Sequence, residues 1–457
     1  MIHLALIASP TPSPLAAAAS EFSCTPPLGL AYMAAVLREN GYRVQLVDLG
    51  LRCFTPRYLR RFLVIKRPRM VGISTLTESY PNAFRIATMV KEFCQRIPVV
   101  VGGPHVTFMA DEVLENDCFD VVVLREGEHT LLELANFYIR GEGHLEAIEG
   151  ICWRKGNHLH RSPPRPMMEK LDHIPLPARN LLFLDKYRNA GAVITGRGCP
   201  GRCIFCSAGA MSGGRYRKRS PEKVLWELRI LRQMGMEFLL FVDDSLTADL
   251  DRLDRILYLM ERAEIDLPWL CESRVDIEDP GFFQKMARAG CAGVQFGIES
   301  GCQRVLRGLG KGTTLDQVVA AVAGAAKAGI SPVGTFMIGL PQDTVETITE
   351  TIQFAEELQR EYYAQVGISI ATPFPGTSMF RDAHRLGLAI QERDYGRYNL
   401  YTPVMQTKHL SREQIRNLHF ESIDRLRRST KPGMVNLFPP PVDPCTVEGY
   451  DFRKYLY

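Results

Sequence analysis

Residues 197–209 read RGCPGRCIFCSAG, with Cys199, Cys203 and Cys206 in a C-x3-C-x2-C spacing directly after the apolar run from Ala190 to Thr195. A structural zinc site or a complete cubane cluster normally takes four protein ligands. Three thiolates on one tight loop therefore leave one metal position for something other than protein. Two blander readings compete: ordinary buried thiols, or a zinc knuckle completed by Cys271, Cys291, Cys302 or Cys445. None of those four forms a second C-x2-C, and the glycines flanking the motif suit a loop wrapped closely around a bulky cluster.

Downstream of the loop, strand-like and helical patterns alternate. AGAVITGRGC, FLLFVDD, PWLCESRVD, GVQFGIESG, PVGTFMIGLP and VGISIATPFPG are separated by helical stretches such as Pro221–Gln233 and Leu315–Lys327. Six strands with intervening helices predict a partial (β/α)6 TIM-like barrel over 189–400, with its active-site residues at the carboxyl ends of the strands. The cysteines fall just past the first strand. Polar groups close the next three: Asp243 and Asp244, then Arg274, then Glu299.

Upstream, residues 141–188 carry Gly141, Gly143, five prolines and the strand-like ICWRKG, and read as a linker with a small hairpin. Before it, IHLALI, YRVQLVDL, MVGISTL, PVVVGGP and DVVVLRE alternate with helical patterns. Near-continuous Val/Ile/Leu strands of this kind mark a parallel sheet buried on both faces, so residues 1–140 read as a doubly wound, Rossmann-like α/β domain. Two strands end in Ser74-Thr75-Leu76 and Gly102-Gly103-Pro104-His105, where such sheets take ligands. His105 itself reads as a loop or packing residue, since no partner ligand is visible nearby. A short, mainly helical region, 401–457, with a helix over 411–428 and prolines at 439–441, reads as a cap on the barrel. Tyr395, Tyr398 and Tyr401 read as core packing.

The chain has 457 residues, 46% of them hydrophobic, and a net charge of +4, which argues against bulk electrostatic binding to nucleic acid. The basic run Arg215–Arg219 reads equally well as a solvated turn or as a holder of an anionic group. Twelve scattered cysteines do not form a secreted disulfide framework. Met1 is followed at once by a strand, so no signal peptide is expected, and no apolar run reaches the length of a membrane span. A reducing cytoplasm is the expected compartment.

The cysteine motif, with the aromatic Phe205 before its last cysteine, resembles the radical S-adenosylmethionine signature. The resemblance implies a [4Fe-4S] cluster held by Cys199, Cys203 and Cys206, its fourth iron chelated by S-adenosylmethionine, which one electron cleaves to a 5'-deoxyadenosyl radical. It also implies cofactor contacts at Phe205, at Asp243 and Asp244 (the ammonium), Arg274 (the carboxylate), Glu299 (the ribose) and Gly339 (beside adenine). PPLGLAYMAAVLRENGY, the S-T-L and G-G loops and REGEHTLLEL are together similar to the cobalamin-binding domain that precedes one class of these enzymes. On that likeness Ser74, Leu76, Gly102 and Gly103 line the slot for the cofactor's nucleotide tail. The second strand ends Asp48-Leu49-Gly50-Leu51-Arg52, without the histidine of the general D-x-H-x-x-G loop, which implies cobalamin with its own base displaced and no histidine on cobalt. The implied activity is methylation of an unactivated carbon, or a phosphorus, of a small-molecule metabolite, with flavodoxin or ferredoxin as electron donor. The alternatives are an oxidative cyclase or rearrangement enzyme of the same plan, and a noncatalytic iron-sulfur or cobalamin sensor.

Overall fold

Alternate residues of the first strands go to opposite cores. Leu4 and Leu6 pack with Leu30, Ala31 and Leu37, while Ala5 and Ile7 pack with Leu59, Leu63, Ile86 and Val90. The computed structural model describes residues 2–11, 25–51, 55–156, 158–277, 279 and 281–429. They fall into two units, one reaching to Ala190 and including Asp394–Arg397, the other made of Gly191–Arg393 and the described residues from Tyr398.

In the first unit β1 (Leu4–Ala8), β2 (Val44–Asp48), β3 (Met70–Ser74), β4 (Val99–Gly102) and β5 (Val121–Val123) are parallel, and β6 (Ile151–Lys155) and β7 (His158–Arg161) extend the edge antiparallel. The order is β2-β1-β3-β4-β5-β6-β7, so the direction of winding reverses between β1 and β3. Helix α1 (Leu28–Glu39) covers one face, and α2 (Pro56–Lys66) and α3 (Tyr80–Phe93) the other. This is the doubly wound arrangement. The hairpin expected within the linker is an integral part of the sheet: Trp153 on β6 is buried in the α1-side core, so its apolar face could not have been left in a solvated connection.

In the second unit β8 (Ala192–Val193) leads into a small ribbon of β9 (Gly196–Arg197) and β10 (Arg217–Lys218). Then come β11 (Leu239–Phe241), β12 (Trp269–Ser273), β13 (Cys291–Glu299), β14 (Ser331–Ile338) and β15 (Gln365–Ile370). The six-stranded sheet runs β15-β14-β13-β12-β11-β8 with every neighbouring pair parallel, the open barrel the sequence predicts. Along β12 burial alternates: Trp269, Cys271 and Ser273 are buried, whereas Leu270 and Glu272 are exposed. Trp269 meets Phe241 edge-on at 5.1 Å and donates its Nε1 proton to Ala289 O at 2.7 Å. The buried side packs in the core shared with the helices, and the exposed side carries Leu270 and Glu272. The expected carboxyl-terminal helix forms over Arg412–Ser429 and buries Ile415, Ile423 and Leu426 in the barrel's own core. Cys445 and the prolines at 439–441 lie outside the described residues.

Between β14 and the helix Val345–Tyr362, Asp343 accepts from Leu340 N (2.9 Å) and from Thr347 Oγ1 (3.1 Å), fixing the turn. Burial pushes its carboxyl up from 3.8 to about 6. The folded chain therefore binds this proton more tightly than the unfolded chain, and the stability so gained is present below the ordinary carboxylate value and lost as pH rises to about 6. The stability of wild type relative to Asp343→Asn should accordingly fall by up to ~3 kcal/mol between about pH 4 and 6, read by urea unfolding at each pH.

Candidate active site

The cysteine loop leaves an edge strand only two residues long, and buried polar groups hold it. Thr195 donates its backbone N–H to Asp243 Oδ1 at 2.6 Å and its hydroxyl to Asp243 Oδ2 at 2.5 Å. Arg252 binds Thr195 O through Nη2 at 2.7 Å and Arg219 O through Nε at 2.8 Å. Arg219 in turn pairs with Glu227, both nearly inaccessible, and binds Ile194 O at 2.9 Å. Burial lifts the Asp243 carboxyl to about 6, against the pull of the Thr195 bonds and Arg252. Both carboxylate oxygens of Asp243 are thus engaged in holding the strand end. Its neighbour Asp244 is exposed and accepts from Gly198 N at 2.9 Å, one residue before the first cysteine.

The loop is pinned at its far side too. Ile204 donates its N–H to Leu309 O and accepts from Met379 N, both at 2.9 Å. Ile204 and Phe205 lean on an apolar cluster of Val305, Leu306, Leu309, Leu340 and Met379. Phe205, only partly buried, therefore helps anchor the loop. A β-carbon on Gly201 would stand 3.2 Å from Cys199 Sγ and 3.8 Å from Cys203 Sγ, so two thiols flank the space that this residue leaves empty.

Arg274 follows β12, and its guanidinium grips Asp276 (Nε to Oδ1 2.9 Å, Nη2 to Oδ2 2.8 Å) and Lys311 O (2.8 Å). Its Nη1 lies toward the cysteines, 3.9 Å from the ideal β-carbon of Gly201. The fork expected to take a carboxylate is already occupied by a protein one, leaving a single nitrogen for a ligand. Glu299, at a positive φ of 74°, accepts from Lys311 Nζ at 2.5 Å, and the same ammonium binds Gly297 O at 2.6 Å. Burial raises the Cys203 thiol; Lys311 and Arg274 pull it down, while Glu299 and Cys199 push it up. Sequence reasoning missed Lys311 and Asp276. A lysine between two glycines, Gly310-Lys311-Gly312, was the available signal.

Gly339 directly follows β14. It sits at φ 80°, and a β-carbon there would meet Ile415 Cγ2 at 3.1 Å, so its open side is filled by the carboxyl-terminal helix. In the first unit Ser74, Leu76, Gly102 and Gly103 do share the carboxyl edge of β3 and β4. Ser79 Oγ accepts from Leu76 N (3.0 Å) and from Ser9 Oγ (2.8 Å), drawing the loop into a tight turn that leaves Leu76 57% exposed.

Among the described residues no three or more His, Cys, Asp or Glu side chains are gathered as a single metal ion would gather them. Cys271, Cys291 and Cys302 are buried in the apolar clusters, away from the role of a fourth zinc ligand. A cubane binds thiolates at separate corners and needs them farther apart than one tetrahedral ion does. Three thiols on one loop are the donor set that a cluster with three protein ligands takes. For cobalamin, the exposed Leu76 and the buried but unpartnered Nε2 of His105 at the same sheet edge fit a ligand-binding edge.

The B12 binding domain family matches residues 15–135 and the Radical SAM superfamily residues 193–355. An uncharacterized methyltransferase of Pyrococcus horikoshii is 37% identical over 399 residues, covering 86% of this chain and 86% of its own length. An anaerobic magnesium-protoporphyrin IX monomethyl ester cyclase of Rubrivivax gelatinosus is 28% identical over 404 residues, with coverage of 85% and 71%. In fold, the chain matches the radical S-adenosylmethionine methyltransferase TsrM of Kitasatospora setae, solved with cobalamin and a [4Fe-4S] cluster. The TM-score is 0.76 at 18% identity, over 99% of this chain and 93% of that one. The chain belongs to the radical S-adenosylmethionine enzymes that carry a B12-binding domain, and its cofactors are a [4Fe-4S] cluster, S-adenosylmethionine and cobalamin. Of the two sequence relatives, the one at 37% identity is named a methyltransferase and the one at 28% a cyclase. No described helix is long and apolar enough to cross a membrane.

Replacing Lys311 by Met would leave the buried Glu299 carboxylate without its cation. Chemical denaturation should show a loss of about 3 kcal/mol, largely recovered when Glu299→Gln is added. Equal losses in the single and double variants would show that the pair is not the source.

Proposed function

We propose that this enzyme methylates an unactivated carbon, or a phosphorus, of a small-molecule metabolite. The observation that carries the reading is the union, in one chain, of a three-thiolate loop at the carboxyl end of a barrel's first strand and a B12-binding unit. When bound, the cluster and S-adenosylmethionine supply a radical that removes hydrogen from substrate, and cobalamin supplies the methyl carrier.

The chain's own groups place and insulate these partners. Cys199, Cys203 and Cys206 hold three corners of the cluster, and Gly201 keeps the space beside two of them clear. Asp244, exposed beside the loop, takes the ammonium of S-adenosylmethionine, and Arg274 offers Nη1 to its carboxylate while Asp276 holds the rest of the guanidinium. Glu299 presents its remaining acceptor capacity to the ribose, with Lys311 setting its orientation. Asp243 acts behind them as a positioning residue. Ser74, Leu76, Gly102 and Gly103 line the cobalamin side. In this division of labour 1–140 binds cobalamin, with the hairpin of 141–188 completing its sheet, 189–400 performs the radical step, and the region from 401, through its helix Arg412–Ser429, caps the barrel. The electron comes from a flavodoxin- or ferredoxin-type donor in a reducing cytoplasm, and nucleic acid is not a partner.

The test is anaerobic reconstitution with iron, sulfide and hydroxocobalamin, followed by reduction and mass spectrometry of the nucleosides. The expected products are 5'-deoxyadenosine together with S-adenosylhomocysteine; deoxyadenosine alone would favour a cyclase. Cys203→Ala should abolish deoxyadenosine, and undiminished formation would remove this thiolate from the cluster.

A further inference from the structure

Strands β12 to β15 bury alternate residues against the helices: Cys271, Val294, Phe296, Phe336, Val366 and Ile368 all belong to that core. On the face away from the helices, Glu272 is exposed and Gln295, Gly297, Val333, Thr335, Gln365 and Gly367 are half-buried. An all-parallel sheet is normally covered on both faces, so accessibility here leaves room for a ligand. Strand register sorts this face into rows. Glu272, Gln295, Val333 and Gln365 are successive partners across the four strands, and one row nearer the carboxyl ends come Gly297, Thr335 and Gly367. In a barrel this face is usually filled by layers of bulky side chains. Here two of the three residues in the upper row are glycines. The Glu299–Lys311 pair occupies the space over Gly297, whereas an ideal β-carbon on Gly367 would have only Thr335 Cγ2 near it, at 3.7 Å.

Glu272 is the charged member of the lower row. Its Oε1 accepts from Gln295 Nε2 at 3.3 Å, and among the described residues no cation pairs with it. Lys311 is committed to Glu299 and Arg274 to Asp276. Burial lifts the Glu272 carboxyl, and the charges of Asp244 and Glu299 lift it further. The hydroxyls of the same face turn to the backbone, Thr335 donating to Phe296 O and Ser369 to Phe336 O, each at 3.2 Å. Leu270, two residues before Glu272, is 37% exposed and adds an apolar surface. Arg274 lies two residues beyond Glu272, about 7 Å further along the chain, so Glu272 sits one row beneath the place proposed for S-adenosylmethionine. A carboxylate without a cation, beside open space, favours a positive group, and an anionic one would be repelled.

We infer that Glu272 determines substrate specificity by binding a protonated nitrogen, so that the metabolite this enzyme takes is an amine and not an acid. This rests on the proposed methyl transfer, and the test reads binding separately from turnover. Holoenzyme reconstituted with iron, sulfide and hydroxocobalamin, with S-adenosylmethionine present, is titrated with hexylamine, hexanol and hexanoate, and with phenethylamine, phenethyl alcohol and phenylacetate, by ligand-observed NMR. The amines should bind about fivefold more tightly than the alcohols, and the acids more weakly than either. Glu272→Gln should bring the amines to the level of the alcohols while S-adenosylmethionine affinity, by calorimetry, stays within about twofold. Gly367→Val, whose side chain enters the open row, should weaken amines and alcohols alike. Amines bound no better than acids, no binding of either amine, or an amine affinity unchanged in Glu272→Gln or in Gly367→Val would overturn the assignment. So would a loss of S-adenosylmethionine affinity in Glu272→Gln, which would give the carboxylate to the sulfonium. Selection of amines by an enzyme that forms 5'-deoxyadenosine without S-adenosylhomocysteine would overturn the methyltransferase reading and leave this one standing.

Discussion

The carboxylate of Asp243 takes both the backbone N–H and the hydroxyl of Thr195, and the geometry of the cysteine loop depends on that pair of bonds. A two-residue strand at the edge of a sheet has few ladder bonds to resist fraying. Here the missing rigidity is supplied by side chains: Asp243 from the neighbouring strand's end, Arg252 from a helix, and Arg219 locked to Glu227 behind them. Each bond to charge is shielded from solvent, where a donor left without its acceptor costs most. The loop that must hold a large inorganic group thus grows from a fixed stem.

Charge is distributed around the loop by the same economy. Two cations approach the thiols, Lys311 and Arg274, and each is already paired, with Glu299 and Asp276 respectively. Paired charges keep their orientation whether or not a ligand is present, which is what preorganisation requires. Asp244, by contrast, remains exposed beside the loop.

The fold was legible because its strands are buried on one or both faces, and burial writes itself into sequence as Val/Ile/Leu runs closed by glycine or a polar residue. The cysteine spacing was equally plain. The hairpin at β6 and β7 was harder, since prolines and glycines on either side of ICWRKG look like a linker until Trp153 is seen to be buried. Roles behind the site were least legible. Asp243 and Asp244 are adjacent and chemically identical, yet one points into the protein and the other does not, a distinction set by strand alternation and tertiary contact. Gly339 looks in sequence like a residue making room for a ligand, but Ile415, 76 positions later, fills the space. Arg274 and Glu299 could be recognised as strand-end polar groups, while their partners Asp276 and Lys311 belong to pairings that only folding reveals.

The short segment Asp394–Arg397 comes late in the chain yet belongs to the first unit, where Tyr395 covers His105. A fragment ending at Ala190 would keep every strand of its sheet and still lack one wall of an aromatic box. The boundary between the halves is therefore not a clean place to cut: a ligase-style reassembly, or an exchange of amino-terminal modules between related enzymes, would have to carry four distant residues along with the module they complete.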